Sequence, residues 1–154
     1  MIKVLFVCHG NICRSTMAEF LFKYMVRIMH KEDQFIIESC GTSDEEHGNP
    51  VHYGTARILD RFDIDYSKKR ARQIKKEDYD KFDYIIGMDN YNKQNLLRFF
   101  NGDKDNKISL LLDYSGDNRD VIDPWYTGHF EDTFNDISKG LNAFVTYLMN
   151  KKLI

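Results

Sequence analysis

The chain reads as an α/β protein: one four-stranded parallel sheet with helices on both faces. Three observations predict it. Residues 4–7 (Val-Leu-Phe-Val) form an apolar run without a polar break, as in a strand buried on both faces. Further strand-like runs at 35–39, 82–88 and 108–112 alternate with segments of helical periodicity, which calls for right-handed crossovers between parallel strands. The residues able to do chemistry also gather where those strands end, the edge at which such sheets bind ligands.

Each element follows in order. After the first strand the pattern stops at Cys8, and Gly10 and Asn11 can take conformations that most residues avoid. A helix then starts, with either Ser15 as N-cap or Thr16 and Glu19 as a capping box. Ala18, Leu21, Phe22, Met25 and Ile28 carry it to about His30. The second strand, 35–39, ends at Cys40-Gly41. A polar loop over 42–50 leads to a second helix from about Val51, marked by Ala56, Ile58, Leu59 and Phe62. Residues 68–76 hold six basic side chains in nine positions, either a solvated face or a docking patch for an acidic partner. A short helix over 75–81 precedes the third strand, 82–88. Asp89 or Asn90 caps the next helix, which buries Leu96, Leu97 and Phe100. A turn at 101–107, a fourth strand at 108–112 and a loop from 113 to about 130 complete the approach to the last helix. Phe134, Ile137, Leu141, Phe144, Leu148 and Met149 mark one face of that helix. No repeat, linker or low-complexity segment intervenes, so residues 1–154 are expected to fold as a single domain.

Composition narrows the function. Hydrophobic content of 42% and charged content of 30% are those of an ordinary globular protein. A formal net charge of −2 supplies no field for nucleic acid or anionic membrane, so neither is expected as a partner. The first apolar run is too short and too polar for a signal peptide or a membrane span. Three cysteines without disulfide or zinc spacing point to a reducing compartment, the cytoplasm.

Cys8 opens the first loop and Arg14 closes it, with five residues between. Strand, tight loop and helix N-terminus together form an anion site, because free backbone N–H groups converge there. A thiol in such a focus loses its proton readily, with pKa values of about 3.5–7.5 in comparable settings. Arg14 can fork two hydrogen bonds onto a tetrahedral oxyanion. A thiolate beneath a clamped phosphate is poised for in-line attack on phosphorus, which gives a phosphocysteine route to ester hydrolysis.

The string Val7-Cys8-His9-Gly10-Asn11-Ile12-Cys13-Arg14-Ser15 resembles the active-site loop of the low-molecular-weight protein tyrosine phosphatases. Ala71-Arg72-Gln73, the run 82–86 followed by Met88-Asp89, and Asp123-Pro124-Trp125-Tyr126 are similar to further stretches of that family, so the resemblance spans essentially the whole chain. It implies hydrolysis of phosphotyrosine in proteins and of small aryl phosphates, with inorganic phosphate as product. It implies a phosphate-binding loop of His9, Gly10, Asn11, Ile12, Cys13 and Ser15 around the nucleophile Cys8. No cofactor or metal is expected, since no metal-ligand cluster is present. A monomer is expected, with exposed aromatics permitting a weak dimer.

Protonating the leaving oxygen of an aryl phosphate needs an acid, worth about 10²–10⁴ in rate. Asp-Pro alone is loop punctuation. Beside this loop and this resemblance, Asp123 is the expected acid and then the base that activates water. Pro124 stiffens its segment. Trp125 and Tyr126 are expected to wall the substrate ring and to shield the carboxyl, favouring its protonated form. Ser15 is either a helix cap or, as the resemblance implies, a partner of the sulfur. Asn11 either accepts a left-handed backbone or, on the same resemblance, belongs to a polar network holding the loop open. Asp89 reads as a helix cap rather than a catalyst. Cys13 is either a small apolar filler or, as the resemblance favours, a partner for a reversible disulfide that protects Cys8. Cys40 reads as structural.

The chain departs from the family in places. His9 stands where an aliphatic residue is frequent, either bonding substrate or simply exposed. Lys69 replaces a common histidine and cannot accept a hydrogen bond while charged, so the network that the resemblance implies at Asn11 and Ser15 is expected to be disturbed and the loop held differently. Thr16 stands where proline is frequent, a harmless change.

Other functions remain to be weighed. An arsenate reductase shares the loop but needs two further relay cysteines, and only Cys40 lies beyond it. A phosphate-carrying component of sugar transport would not need Arg14 with an Asp123 acid. A phosphoprotein-binding module would keep the anion site without turnover, and retention of both Cys8 and Asp123 speaks against it. A flavodoxin-like nucleotide binder would want a glycine-rich loop that is absent.

Residues 43–47, Ser-Asp-Glu-Glu-His, place acid where relatives offer an aromatic wall. Phosphopeptides with acidic flanks are therefore expected to show lower kcat/KM than neutral or basic ones, and equal values for both sets would rule this out.

Overall fold

The computed structural model describes residues 1–154. Strand β1 (Ile2–Cys8) lies inside a parallel sheet with β2 (Phe35–Gly41), β3 (Tyr84–Gly87) and β4 (Ile108–Leu110), in the order β2-β1-β3-β4. Val7 pairs with Cys40 on one side and Gly87 on the other, and Cys8 pairs with Gly41 at the carboxyl edge. Because successive side chains of a strand point to opposite faces, β1 feeds two cores. Val4 and Phe6 join Phe22, Ile137 and Phe144 on one face. Leu5 and Val7 join Phe82, Ile85, Leu96 and Ile108 on the other. Both faces are covered, which is why the run has no polar break.

Helices α1 (Arg14–Ile28), α2 (Tyr53–Asp60) and α6 (Phe130–Asn150) cover the first face. α3 (Asp78–Lys81) and α4 (Asn90–Phe99) contribute Tyr79 and Leu96 to the core on the second. Asp89 caps α4 by accepting from Asn92 N–H at 2.7 Å, as the sequence predicts.

Several boundaries differ from expectation, each for a local reason. Neither Ser15 nor the Thr16–Glu19 pair caps α1. Cys13 is the capping residue and makes no side-chain cap bond, while Arg14 and Ser15 are already helical. The Thr16 hydroxyl donates to Cys13 O at 2.9 Å, and Glu19 turns inward to Ser39 and two lysines. The loop itself thus flows into the helix. The helix predicted over 75–81 is confined to α3, because Asp78 accepts from Lys75 N–H and the Arg72 fork and organises the residues before it as a turn. β4 ends at Leu110 because Asp113 accepts the Leu110 N–H and winds Leu111–Asp113 into a 3-10 turn. Within the predicted loop at 113–130 a short helix α5 (Pro124–Thr127) forms. Proline suits its first turn, where no N–H is needed, and the Asp123 side chain accepts from Trp125 N–H at 3.1 Å.

Phe22 is fully buried, edge-on to Phe6 at 5.8 Å and to Phe35 at 5.3 Å, and tilted on Phe144 at 5.5 Å. It links β1, β2 and α6 through one ring. Phe22→Ala is expected to cost about 3–5 kcal/mol in urea unfolding.

Candidate active site

The carboxyl edge of the sheet opens into a cleft of about 530 Å³, lined on its floor by Cys8, Gly10, Ile12, Cys13 and Arg14. Asn11 takes a left-handed conformation with φ 62°, which reverses the chain above the end of β1. Cys8 Sγ receives the Asn11 N–H at 3.3 Å and lies 3.0 Å from Ser15 Oγ. Backbone N–H groups of Gly10, Ile12 and Cys13 donate to no protein atom. They form the donor-rich surface expected of an anion cradle.

A polar network lies beneath the loop. Asn11 Nδ2 donates to Ser15 Oγ at 2.8 Å and to Ser39 Oγ at 2.9 Å, while Asn11 Oδ1 accepts from Arg72 N–H at 3.1 Å. The Ser39 hydroxyl passes on to buried Glu19 at 2.5 Å. Lys69 completes this network rather than breaking it. Its ammonium donates to Ser39 O at 2.8 Å and stands 3.4 Å from Glu19. The lysine cannot accept, but here only a donor is required. Asn11 thus has both readings at once, and Ser15 keeps its place at the sulfur while losing the cap role.

Arg14 is 3% exposed, and three of its five guanidinium N–H donors meet protein acceptors. Nη1 donates to Asp89 Oδ2 at 2.8 Å and Val121 O at 3.2 Å, and Nη2 donates to Asp123 Oδ2 at 3.3 Å. Burial would depress its pKa, but the charges of Cys8, Asp123 and Asp89 outweigh that and hold it above the ordinary arginine value. The cap residue Asp89 therefore also anchors Arg14, a role that its sequence position did not announce.

Cys8, Cys13 and Cys40 are free and buried. Burial, then the neighbouring charges of Cys8 and Asp123, push the Cys13 thiol well up; burial does the same to Cys40. At the mouth, His9 Nε2 is 3.4 Å from Glu45 Oε2, and Glu45 and Glu46 line that side of the cleft. Trp125 and Tyr126 line the other side but are 59% and 84% exposed. They form a wall beside Asp123, whose side chain is 28% exposed. Both rings are carried by α5, directly after its cap residue Asp123.

Residues 3–153 match the family profile described as low molecular weight phosphotyrosine protein phosphatase. The chain belongs to that family. It is 40% identical over 154 residues to the low molecular weight protein-tyrosine-phosphatase YfkJ of Bacillus subtilis, covering 99% of each chain. The crystal structure of YfkJ superposes with a TM-score of 0.94 over 99% of this chain and 97% of that one. A second solved relative, the low molecular weight protein tyrosine phosphatase SP-PTP of Streptococcus pyogenes, is 46% identical, with a TM-score of 0.88 and coverage of 99% and 97%.

Gly41 escaped the sequence reading. A Cβ there would sit 2.5 Å from His9 O and 3.3 Å from Asn11 N, so only glycine lets β2 close against the loop. Its N–H and C=O bind Arg72 O and Ile74 N–H at 2.8 Å each, which bring the 72–74 segment to Asn11. A glycine ending a strand beside a reversing loop is the signal that was available. Gly41→Ala is expected to push the loop outward and lower kcat/KM for an aryl phosphate at least tenfold (~1.4 kcal/mol or more). Steady-state kinetics beside a melting curve would check it.

Proposed function

We propose that this chain hydrolyses phosphotyrosine in proteins, and small aryl phosphates, through a phosphocysteine intermediate. One observation carries the reading: Arg14 draws the sulfur loop and the Asp123 segment into the same cleft, with donors free around Cys8. Donors aimed at Sγ suit a thiolate nucleophile. The free N–H groups and Arg14 hold the phosphate oxygens. Anion binding competes with Asp123 for Nη2 and frees its carboxyl from the guanidinium.

In the first step the Cys8 thiolate attacks phosphorus and the P–O bond to the phenol breaks. Asp123 gives its proton to the departing oxygen. In the second, the Asp123 carboxylate takes a proton from water while the water oxygen attacks phosphorus. The S–P bond breaks, and phosphate leaves with the thiolate restored. Ser15 Oγ, 3.0 Å from the sulfur, supports negative charge there in both steps. Trp125, Tyr126 and Tyr91 flank the leaving ring at the mouth. The free thiols fit a reducing compartment, the cytoplasm in this reading.

Two alternatives are disfavoured. An arsenate reductase would relay a disulfide to a further thiol, and Cys40 is fully buried inside β2. A phosphoprotein-binding module has no use for a carboxylate held at the anion clamp.

Phosphate release from a phosphotyrosine peptide and an aryl phosphate, in EDTA, tests the reading. Cys8→Ser is expected to abolish turnover, and Asp123→Asn to reduce it by about 10²–10⁴. Peptide binding without turnover in the unaltered chain would hand the lead to the binding module.

A further inference from the structure

The segment that delivers Asp123 is suspended from the rest of the protein by its backbone. Val121 N–H donates to Met88 O at 2.9 Å, and Val121 O accepts from Arg14 Nη1 at 3.2 Å. Ile122 N–H donates to Asp136 Oδ2 at 3.3 Å, and Ile122 O accepts from Thr133 Oγ1 at 2.9 Å. All four polar backbone groups before Asp123 are therefore taken. Beyond it, Pro124 has no N–H to offer.

The last two contacts come from one face of α6, three residues apart. Thr133 is fully buried and Asp136 is 7% exposed. Arg119 forks onto Asp136 at 2.7 and 2.9 Å. Burial alone would raise the Asp136 pKa, but Arg119 and the Ile122 N–H more than offset it and hold the carboxyl below its usual range. An ionised, buried carboxylate braced by a forked guanidinium is a stiff acceptor for one peptide N–H. Neither Asp136 nor Thr133 lines the cleft.

We propose that Asp136 and Thr133 are positioning residues for Asp123, holding the Ile122 peptide from α6 so that the acid stands at the leaving oxygen. This rests on the reading of Asp123 as general acid. A plain structural brace would act differently: loosening it would lower stability and affect every substrate alike. Misplacing a proton donor hurts only substrates that need the proton. A dinitrophenolate leaves without help, whereas a phenolate does not.

The test is kcat/KM across aryl phosphates from dinitrophenyl to phenyl, in the full chain, with melting curves in parallel. Thr133→Val keeps shape and removes one suspending bond; Asp136→Ala removes the other; Asp136→Asn retains an oxygen acceptor. Thr133→Val and Asp136→Ala are expected to slow phenyl phosphate about tenfold and dinitrophenyl phosphate less than about twofold, a small share of the full acid contribution. Asp136→Asn is expected to recover most of the loss. Thr133→Val carries the test alone if Asp136→Ala does not fold. Uniform loss, or none, in these variants while Asp123→Asn retains a steep leaving-group dependence would overturn the proposal. If Asp123→Asn itself shows no such dependence, the acid assignment falls, and the positioning role falls with it.

Discussion

The site depends on one buried charge. Arg14 sits at the first position of α1 with almost no solvent, and an unpaired guanidinium there would cost several kcal/mol. The charges of Cys8, Asp123 and Asp89 (after β3) oppose it, and the Val121 carbonyl accepts one of its hydrogen bonds. The same contacts that make the charge tolerable fix the distance between the sulfur loop and the carboxylate. Closing the core around Arg14 thus also brings the sulfur loop and the Asp123 carboxylate together.

Beneath the loop a second buried charge is handled in another way. Glu19 projects from α1 and is met by Lys23, Lys69 and the Ser39 hydroxyl. Here the carboxylate gathers donors, and the chain of contacts runs upward through Ser39 and Asn11 to Ser15 and the sulfur. The loop is held from above by a cation seeking anions and from below by an anion seeking cations. Its left-handed residue, Asn11, carries the lower system to Ser15 and the sulfur.

What was legible in the sequence had short range. The unbroken apolar run 4–7, the Cys8-to-Arg14 spacing and the apolar face of the last helix are patterns within one element, and they placed the sheet, the loop and α6 correctly. Family resemblance added Asp123, whose Asp-Pro context is uninformative alone. The start of α1 was misread because Ser15 and Thr16 look like caps, whereas the loop supplies the helix entry from its own backbone. Ser39, Thr133 and Asp136 escaped because what they bond lies opposite them in space and nothing local marks them, whereas Gly41 carried only the faint mark of a glycine at a strand end. Lys69 was misjudged for a related reason: its consequence turned on Glu19, fifty residues earlier in the chain and beside it in space.

The backbone suspension of residues 121 and 122 also has a temporal side. Its anchors are Met88, Arg14, Thr133 and Asp136, more than a hundred residues separating Arg14 from the last two. Parallel strands already make for distant pairings and slow closure. A chain still emerging from the ribosome carries the thiol and its arginine long before it carries the α6 side chains that bond the Ile122 peptide. Its thiol and arginine are therefore present early, but the side chains that suspend residues 121 and 122 arrive only with α6, more than a hundred residues later.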